Sequence, residues 1–329
     1  MKKTISTLSV LTLILLLNAC GGGSSSNSGY TPPPDDYTDN TTIDEAGYYN
    51  TDTSAWNIEG DLNSSLAVEA LNKIRTDAGL TTLKTNYLLE QSAQNHANYD
   101  WDAYLKYRVN AGHYEYKDEY PSEYYTGQLK ERIQKVYSEN GVQMLSSPYS
   151  EEHTIGSPLY TKSLSELMSA IYHRFGFLST DKIEVGAGHS GNVWVYNLSS
   201  SSSARLNNPS IVIYPYSGQI QTQRYFANNE SPNPLQGDNA THSVGYPISI
   251  EFASSTSVSS FKLYEVASSG TKTEITNVLM MDKSNDPNGR FNGGQYALFP
   301  LDVLKANTTY RAEVVYSGGV KNWEFVTSS

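Results

Sequence analysis

Residues 71–86 read LNKIRTDAGLTTLKTN, and this segment carries the most information about the fold. Around its start, apolar residues recur at the spacing of one helical face; they are Leu66, Ala70, Leu71 and Ile74. Gly79 then stands where helices often end in a left-handed glycine. A second stretch places Leu89, Ala93, His96 and Ala97 on one face. The pattern therefore predicts helical structure over 62–105.

The rest of the chain divides into a mixed part and a strand-rich part. We predict helices over 128–137 and 164–172, followed by strands over 184–188 and 192–198. Short apolar runs separated by Gly, Asn, Pro and Ser then predict six strands, over 211–214, 246–252, 260–266, 295–299, 309–316 and 322–326. Their spacing is typical of an antiparallel β-sandwich. We expect one domain over 56–198, a Ser-rich linker over 199–208 and an all-β domain over 209–329.

Length and composition exclude several classes of protein. With 329 residues, the chain is long enough for two domains of about 100–200 residues each. A formal net charge of −11 argues against a nucleic-acid partner, because binding phosphate needs a basic surface. The one cysteine excludes an internal disulfide. The chain contains no Gly-x-Ser-x-Gly elbow, His-Glu-x-x-His motif or phosphate-binding loop.

The first twenty residues resemble a bacterial lipoprotein signal. Two lysines precede an apolar run of about ten residues, whereas a bilayer-spanning helix needs about twenty. The run ends in Leu17-Asn18-Ala19-Cys20, which resembles a lipobox, in which the cysteine is lipidated and becomes the new N-terminus. We expect a signal peptide over 1–19 and lipidation of Cys20. The alternative is an ordinary signal peptide with an incidental cysteine.

This resemblance also predicts where the protein lies. Gly21 follows the cysteine, and in Gram-negative lipoproteins the absence of aspartate there favours the outer membrane. The segment 20–55 is rich in Gly, Ser, Pro and Asp without apolar periodicity, so we expect a flexible tether. The expected location is the bacterial cell envelope, periplasmic or surface-exposed, with the membrane contacted through the lipid.

A series of short motifs follows residue 86. They are Leu89-x-x-x-Ala93-Gln94-x-His96-Ala97, Gly112-His113, Thr126-Gly127 with Arg132, Ser138-Glu139-Asn140, His173-Arg174 with Leu178, and Gly186-x-Gly188. Together with 71–86, this order and spacing resembles the CAP superfamily (cysteine-rich secretory protein, antigen 5, pathogenesis-related 1), also called SCP, in its disulfide-free bacterial branch. The resemblance covers 62–198. It implies a three-layer α-β-α sandwich within an α/β fold class.

The resemblance also implies a site. CAP domains hold two histidines and one or two glutamates in a central cleft, and the motifs place His113, Glu139 and His173 there. Two neutral imidazoles that converge on one point can bind Zn²⁺ or another divalent cation. A carboxylate beside them can orient a ring, ligate the metal or act as a base on bound water, the role open to Glu139. The alternative is that each histidine is simply hydrogen-bonded within an aromatic cleft.

The chain departs from the family at its second glutamate. Ala170 stands at that position, so Glu166 in a shifted register, or Glu115, would have to replace it. Arg132 and Arg174 can bind an anion at the cleft rim, but salt bridges within the helix layers are the more common role of such residues. His96 lies on an apolar helical face, where a buried, hydrogen-bonded histidine is more common than a ligand.

Two further motifs lie in the predicted all-β part. Leu304–Tyr310 and Trp323–Thr327 resemble the closing strands of bacterial immunoglobulin-like or fibronectin-like modules, which serve as spacers or adhesion surfaces. Ser284-x-Asp286-x-Asn288-Gly289 mimics a calcium-binding loop but lacks its acidic first ligand and its bidentate glutamate. We interpret it as a polar hairpin loop.

These observations predict an outer-membrane lipoprotein whose CAP cleft binds a divalent metal or a small extracellular ligand without catalysis. The partner can be a small molecule, lipid, glycan or protein. One alternative is a metal-dependent hydrolase of the peptidase type, acting on envelope or extracellular substrates. Another is an adhesion or matrix protein that uses its β-sandwich.

Overall fold

The computed structural model describes residues 64–119 and 126–329. The predicted signal peptide, Cys20 and the tether over 20–55 lie outside these residues. Within the described ranges, no helix is both long and apolar enough to cross a membrane. Helices and sheets are both present, as the sequence predicted.

The first half of the described chain contains five α-helices and one sheet. The helices are α1 (Ser64–Asp77), α2 (Tyr87–Tyr107), α3 (Leu129–Glu139), α4 (Tyr160–Ser169) and α5 (Ile171–Leu178). The strands are β1 (Lys84–Thr85), β2 (Tyr149–Ile155), β3 (Lys182–Ser190) and β4 (Val193–Ser200). They pair in the order β1-β3-β4-β2, with β1 parallel to β3 and the other pairs antiparallel. Strand β2 therefore forms one edge of this sheet.

Local signals explain where the first helices begin and end. Gly79 follows α1 with φ of +83°, which confirms the predicted glycine stop. Asn86 caps α2, because its side-chain oxygen accepts hydrogen bonds from the backbone N–H groups of Leu88 and Leu89 at 3.0 and 3.3 Å. The predicted helix over 164–172 is instead two helices, separated at Ala170, whose ψ of 118° is extended.

Strand β4 is buried on both faces. Val193 and Val195 pack with Ala93 and Ala97 of α2, while the alternate residues belong to a second apolar cluster with α1 and α4. Helix α2 also lies very close to β3. A Cβ atom on Gly188 would approach the backbone nitrogen of Gln94 to 2.2 Å, so only glycine permits this spacing.

The second half consists mainly of strands. They are β5 (Ile211–Tyr214), β6 (Tyr225–Phe226), β7 (Val244–Gly245), β8 (Ile248–Phe252), β9 (Val258–Val266), β10 (Lys272–Ile275), β11 (Val278–Met281), β12 (Gln295–Pro300), β13 (Thr309–Tyr316) and β14 (Gly319–Val326). Two four-stranded antiparallel sheets have the orders β10-β9-β13-β14 and β11-β12-β8-β5, and β6 pairs with β7. All six predicted strands are present, with shifted starts for β8, β9 and β14. The sequence missed β6, β7, β10 and β11.

The segment predicted as a linker is ordered. Strand β4 continues to Ser200, and a 3₁₀ helix spans Ser202–Asn207. Asn208 then binds back to the first half, since its side-chain oxygen accepts a hydrogen bond from the backbone N–H of Thr81 at 2.7 Å. This connection fixes the start of β5 against the first half.

The two halves share one apolar cluster. Leu167 and Phe177 from α4 and α5 belong to the same cluster as Tyr246 and Ile248 from the strand-rich half. Both four-stranded sheets also contribute to it, through β8 and β9 among others.

Candidate functional site

Two neighbouring carboxylates on the edge strand β2 hold one histidine each. Successive side chains of a strand point to opposite faces, so Glu151 and Glu152 lie on different sides of the sheet. Glu151 Oε1 lies 3.0 Å from His113 Nδ1, and Glu152 Oε2 lies 2.7 Å from His173 Nδ1. The ring centroids of the two histidines are 6.2 Å apart. The two predicted histidines therefore meet beside the free edge of β2.

Glu151 is buried within a group of cationic side chains. Its Oε2 accepts a hydrogen bond from Arg132 Nη2 at 2.6 Å, and its Oε1 lies 3.6 Å from His96 Nε2. Burial alone would raise the pKa of Glu151. The charges of His96 and Arg132, together with the hydrogen bond from His113, outweigh burial and hold that pKa far below its usual range. Glu151 is therefore ionised at any physiological pH.

His96 fixes the loop that carries His113. Its Nδ1 lies 3.1 Å from Glu115 Oε1, and its Nε2 lies 2.8 Å from the backbone oxygen of Gly112. Glu115 in turn accepts a hydrogen bond from the backbone N–H of Thr126 at 2.8 Å. The expectation of a buried, hydrogen-bonded His96 is confirmed, and it positions the neighbouring His113.

His173 is held from two sides. Besides Glu152, it contacts Glu230, which accepts hydrogen bonds from the backbone N–H groups of Ile171, Tyr172 and His173 at 2.9, 2.7 and 3.3 Å. Burial would lower the pKa of His173, but the hydrogen bond and charge of Glu152, with the charge of Glu230, raise it. Burial raises the pKa of Glu230 to about 7.

A cavity of about 410 Å³ opens beside these groups. The first half lines it with His113, Ser150, Glu151, Glu152, His173, Gly176 and Lys182, among others. The second half contributes Glu230, Ser231, Pro232, Arg290, Asn292 and Gln295. The volume falls within the range of about 300–1,000 Å³ that is typical of small-molecule sites. His113 is the more accessible histidine, with 42% of its side chain exposed against 15% for His173.

The other predicted site residues lie in different places. Glu139 is exposed at the end of α3 and does not line the cavity. Glu166 accepts a hydrogen bond from Ser157 and faces Lys162 rather than the histidines. Arg132 is buried and pairs with Glu151 of strand β2, not with a residue of another helix. The buried Arg174 instead contacts the strand-rich half.

Sequence reasoning missed the three carboxylates that contact the two histidines: Glu151, Glu152 and Glu230. The first two stand in Tyr149–Ile155, a strand that the sequence did not predict because its Glu-Glu-His run lacks apolar alternation. The sequence Glu151-Glu152-His153 was the signal that could have identified this part of the site. His153 completes a second buried pair, with its Nε2 2.6 Å from Asp100 Oδ2.

The side chains at this site supply some, but not all, of the ligands that a divalent metal ion needs. A carboxylate that holds Nδ1 of an imidazole favours the tautomer with its proton there, and this leaves Nε2 as a metal ligand. Glu151 and Glu152 do this for His113 and His173. However, the described residues contain no group of three or more His, Cys, Asp or Glu side chains arranged to hold a metal. A bound ion would take its further ligands from water or from a bound molecule.

Comparison with known proteins gives weak likenesses in structure. No known family pattern and no curated protein matches this chain. An extracellular SCP-domain protein from Bacillus anthracis is 16% identical, with a TM-score of 0.34, over 42% of this chain and 40% of that one. A cysteine-rich secretory protein from Staphylococcus aureus is 14% identical, with a TM-score of 0.30, over 42% and 38%. The chain thus spans about two fifths of each.

A third solved structure is similar to a smaller part of this chain but over most of its own length. CopC from Methylosinus trichosporium is 11% identical, with a TM-score of 0.20, over 35% of this chain and 88% of that protein.

Proposed function

We propose that this protein is a CAP-type binding protein of the bacterial cell envelope, and that its cavity binds a divalent metal ion through His113 and His173. Nε2 of each imidazole ligates the ion, and the open coordination positions take water or a small extracellular ligand. In this proposal the first half has the CAP α-β-α arrangement and the second half is an immunoglobulin-like sandwich. Cys20 carries the lipid that anchors the chain to the outer membrane.

One observation carries the proposal: two histidines from different chain segments converge, and each is held at Nδ1 by a buried carboxylate. This is the arrangement in which an outer carboxylate orients a metal-ligating histidine. The cost of burying two acids on one edge strand is large unless both are paired. Pairing each acid with a cavity-lining histidine offsets that cost and fixes the two rings.

At the two histidines, the geometry favours metal binding over metal-assisted hydrolysis. Glu139 was the candidate general base, but it is exposed at the end of α3, away from the cavity. Glu151 and Glu152 are already engaged by the two histidines. The proposal therefore gives Glu139 no role and assigns the two β2 acids to orienting the rings.

Calorimetric titration of the full chain with Zn²⁺ tests the proposal. We expect saturable binding at one site, which is lost in the His113→Ala/His173→Ala double variant. His242→Ala is the matched control, because this histidine is exposed and does not line the cavity. Glu152→Gln should weaken binding about 10–100-fold, the usual effect of losing an outer partner. The absence of Zn²⁺ binding, or equal binding by the double variant, would refute the metal site.

A further inference from the structure

The cavity contains a serine–lysine pair that the proposed metal site does not use. Lys182, the first residue of β3, donates from Nζ to Ser150 Oγ at 2.8 Å and to Ser200 Oγ at 3.0 Å. The strand register explains why these side chains meet. Lys182 pairs with Ser200, and Ser150 pairs with Leu198. Because Leu198 and Ser200 are two residues apart on β4, all four side chains lie on one face of the sheet. Ser150 and Lys182 both line the cavity.

Lys182 lies in surroundings that lower the pKa of its amine below that of an ordinary lysine. The residue is buried, with 8% of its surface exposed. Burial is the main cause of this lowering. The charges of Glu152, Asp181 and Glu251 oppose it in part, and the charge of Arg75 adds to it. A neutral amine can accept the proton that a serine hydroxyl releases, across the same 2.8 Å between the two heavy atoms.

We propose that Ser150 is a nucleophile and Lys182 its general base, and that together they hydrolyse a small carboxylic ester or amide held in this cavity. The arrangement has the three parts that activated nucleophiles require: a hydroxyl that reaches the cavity, a base within hydrogen-bond distance of it, and a third group, Ser200, that orients the base. This activity goes beyond the proposed metal binding and does not depend on it.

The reaction balances without any further reactant except water. Ser150 Oγ attacks the carbonyl carbon while its proton passes to Lys182 Nζ. The tetrahedral intermediate collapses, its bond to the leaving oxygen or nitrogen breaks, and Lys182 returns the proton to that leaving group. Water then attacks the acyl-serine with Lys182 again as base, which releases the acid and restores Ser150.

The second half of the chain supplies hydrogen-bond donors to the same cavity. Arg290 and Asn292 line it, and both residues carry N–H donors in their side chains. Such donors can stabilise the negative oxygen of a tetrahedral intermediate. The cavity volume of about 410 Å³ limits the substrate to a small molecule or one end of a larger one.

An alkyl fluorophosphonate tests the proposal, because it forms a stable phosphonyl ester with activated serines as fluoride leaves. The full chain is incubated with the probe in the presence of a metal chelator, and the adduct is located by peptide mass spectrometry. We expect one adduct, on Ser150, and none in Ser150→Ala. Ser179→Ala is the matched control, since this cavity serine donates to Asp181 rather than binding a lysine, and its labelling should be unchanged.

Two further measurements separate general-base activation from simple accessibility of the hydroxyl. Lys182→Arg retains a cation and its donors but cannot act as a base, so labelling should slow at least about 100-fold. If that variant does not fold, the labelling rate of the unaltered chain against pH serves instead, and it should rise through an inflection below the ordinary lysine pKa. No adduct, an adduct elsewhere, or a labelling rate that ignores both Lys182→Arg and pH would overturn the proposal.

Discussion

At the scale of single residues, Gly176 makes room for the carboxylate that holds His173. A Cβ atom at this position would lie within 1.9 Å of Glu152 Oε1. Glu152 is a flexible side chain, so we expect Gly176→Ala to displace it rather than to distort the backbone. Alanine also gains about 1 kcal/mol over glycine in a helix. This gain offsets only part of the cost of losing the hydrogen bond between Glu152 and His173, so the free energy of unfolding should fall by about 1 kcal/mol.

This prediction is checked by titrating the metal-free protein and following the histidine ring protons by NMR. The charge of Glu152 raises the pKa of His173, so that pKa should fall in Gly176→Ala. Gly127→Ala is the control, because its added Cβ would meet its nearest neighbour at an ordinary 3.6 Å. An unchanged pKa of His173 in the Gly176→Ala variant would show that Glu152 does not depend on this glycine.

Glu251 on β8 is a second residue whose role can be tested alone. Its Oε1 accepts a hydrogen bond from Gln295 at 3.2 Å, and its buried Oε2 has no partner among the described residues. Burial raises the pKa of Glu251 to about 8. Since the folded-state pKa exceeds the unfolded value, the native protein binds this proton more tightly. Its stabilising effect is complete below the unfolded pKa and is lost as pH rises towards 8.

Replacing Glu251 with glutamine removes this dependence and keeps the hydrogen-bonding shape. At pH 8.5 we expect Glu251→Gln to be more stable than the unaltered chain by about 2 kcal/mol, and at pH 5 by much less. Urea unfolding at both pH values measures the difference. Glu274→Gln on the more exposed β10 should show no such change. A Glu251→Gln variant that follows the same pH dependence as the unaltered chain would contradict the assignment.

At the scale of elements, the short helix α5 depends on the other half of the chain for its N-terminal cap. Ala170 precedes it and offers no side-chain hydrogen bond, whereas Glu230 accepts from three of its backbone N–H groups. Glu230→Ala would leave these buried donors without an acceptor, at a cost of about 2 kcal/mol. Glu230→Gln keeps one acceptor and should lose less.

Hydrogen exchange of the α5 amides, together with urea unfolding, checks the role of Glu230. Faster exchange should concentrate in α5, which carries His173. Glu265→Ala is a suitable comparison, because its partner Lys305 is largely exposed and such pairs contribute little. Equal exchange of α5 in Glu230→Ala and in the unaltered chain would show that the cap is dispensable.

Periodicity and turn residues predicted much of the fold, because most helices and strands here bury a regular apolar face. They predicted α1 and α2, the glycine stop at Gly79, and β3 and β4. They failed where tertiary contacts replace local signals. Strand β2 carries Glu-Glu-His in buried positions that only its partners on both faces make tolerable. The break at Ala170 depends likewise on Glu230, nearly sixty residues later.

The candidate site likewise contains residues that the sequence predicted and residues that it did not. The motifs identified His113 and His173, which the structure brings together. The acid predicted between them, Glu139, belongs to a local motif at a helix end, while the acids that contact the histidines come from a strand without a recognised pattern. A single sequence gives information on residues that are close along the chain. It does not predict a pair such as Arg132 and Glu151, which only the folded structure brings together.

At the scale of the whole molecule, the shared core predicts that the described residues unfold together. Arg174 shows how closely the halves are joined: its Nη1 donates to the backbone oxygen of Pro247 at 2.6 Å and to Ser249 Oγ at 3.2 Å. Its guanidinium also lies 5.1 and 4.7 Å from the ring centroids of Tyr214 and Tyr246. Independent domains joined by a free linker would not bury a charge in this way.

Differential scanning calorimetry of the full chain tests this joint unfolding. We expect one transition whose calorimetric and van't Hoff enthalpies agree, as for a single cooperative unit.

Arg174→Met removes the buried hydrogen bonds and the contacts with both rings but retains much of the apolar volume. It should lower the stability of the whole unit by about 3 kcal/mol, so the single transition moves to lower temperature. Arg205→Met, at a pair with Asp181 in which the arginine side chain is half exposed, should leave it in place. If Arg174→Met instead split the curve into two transitions, or if the unaltered chain already showed two, then the halves would fold separately. The second half would in that case be an independent domain that completes the cavity wall by docking onto the first half.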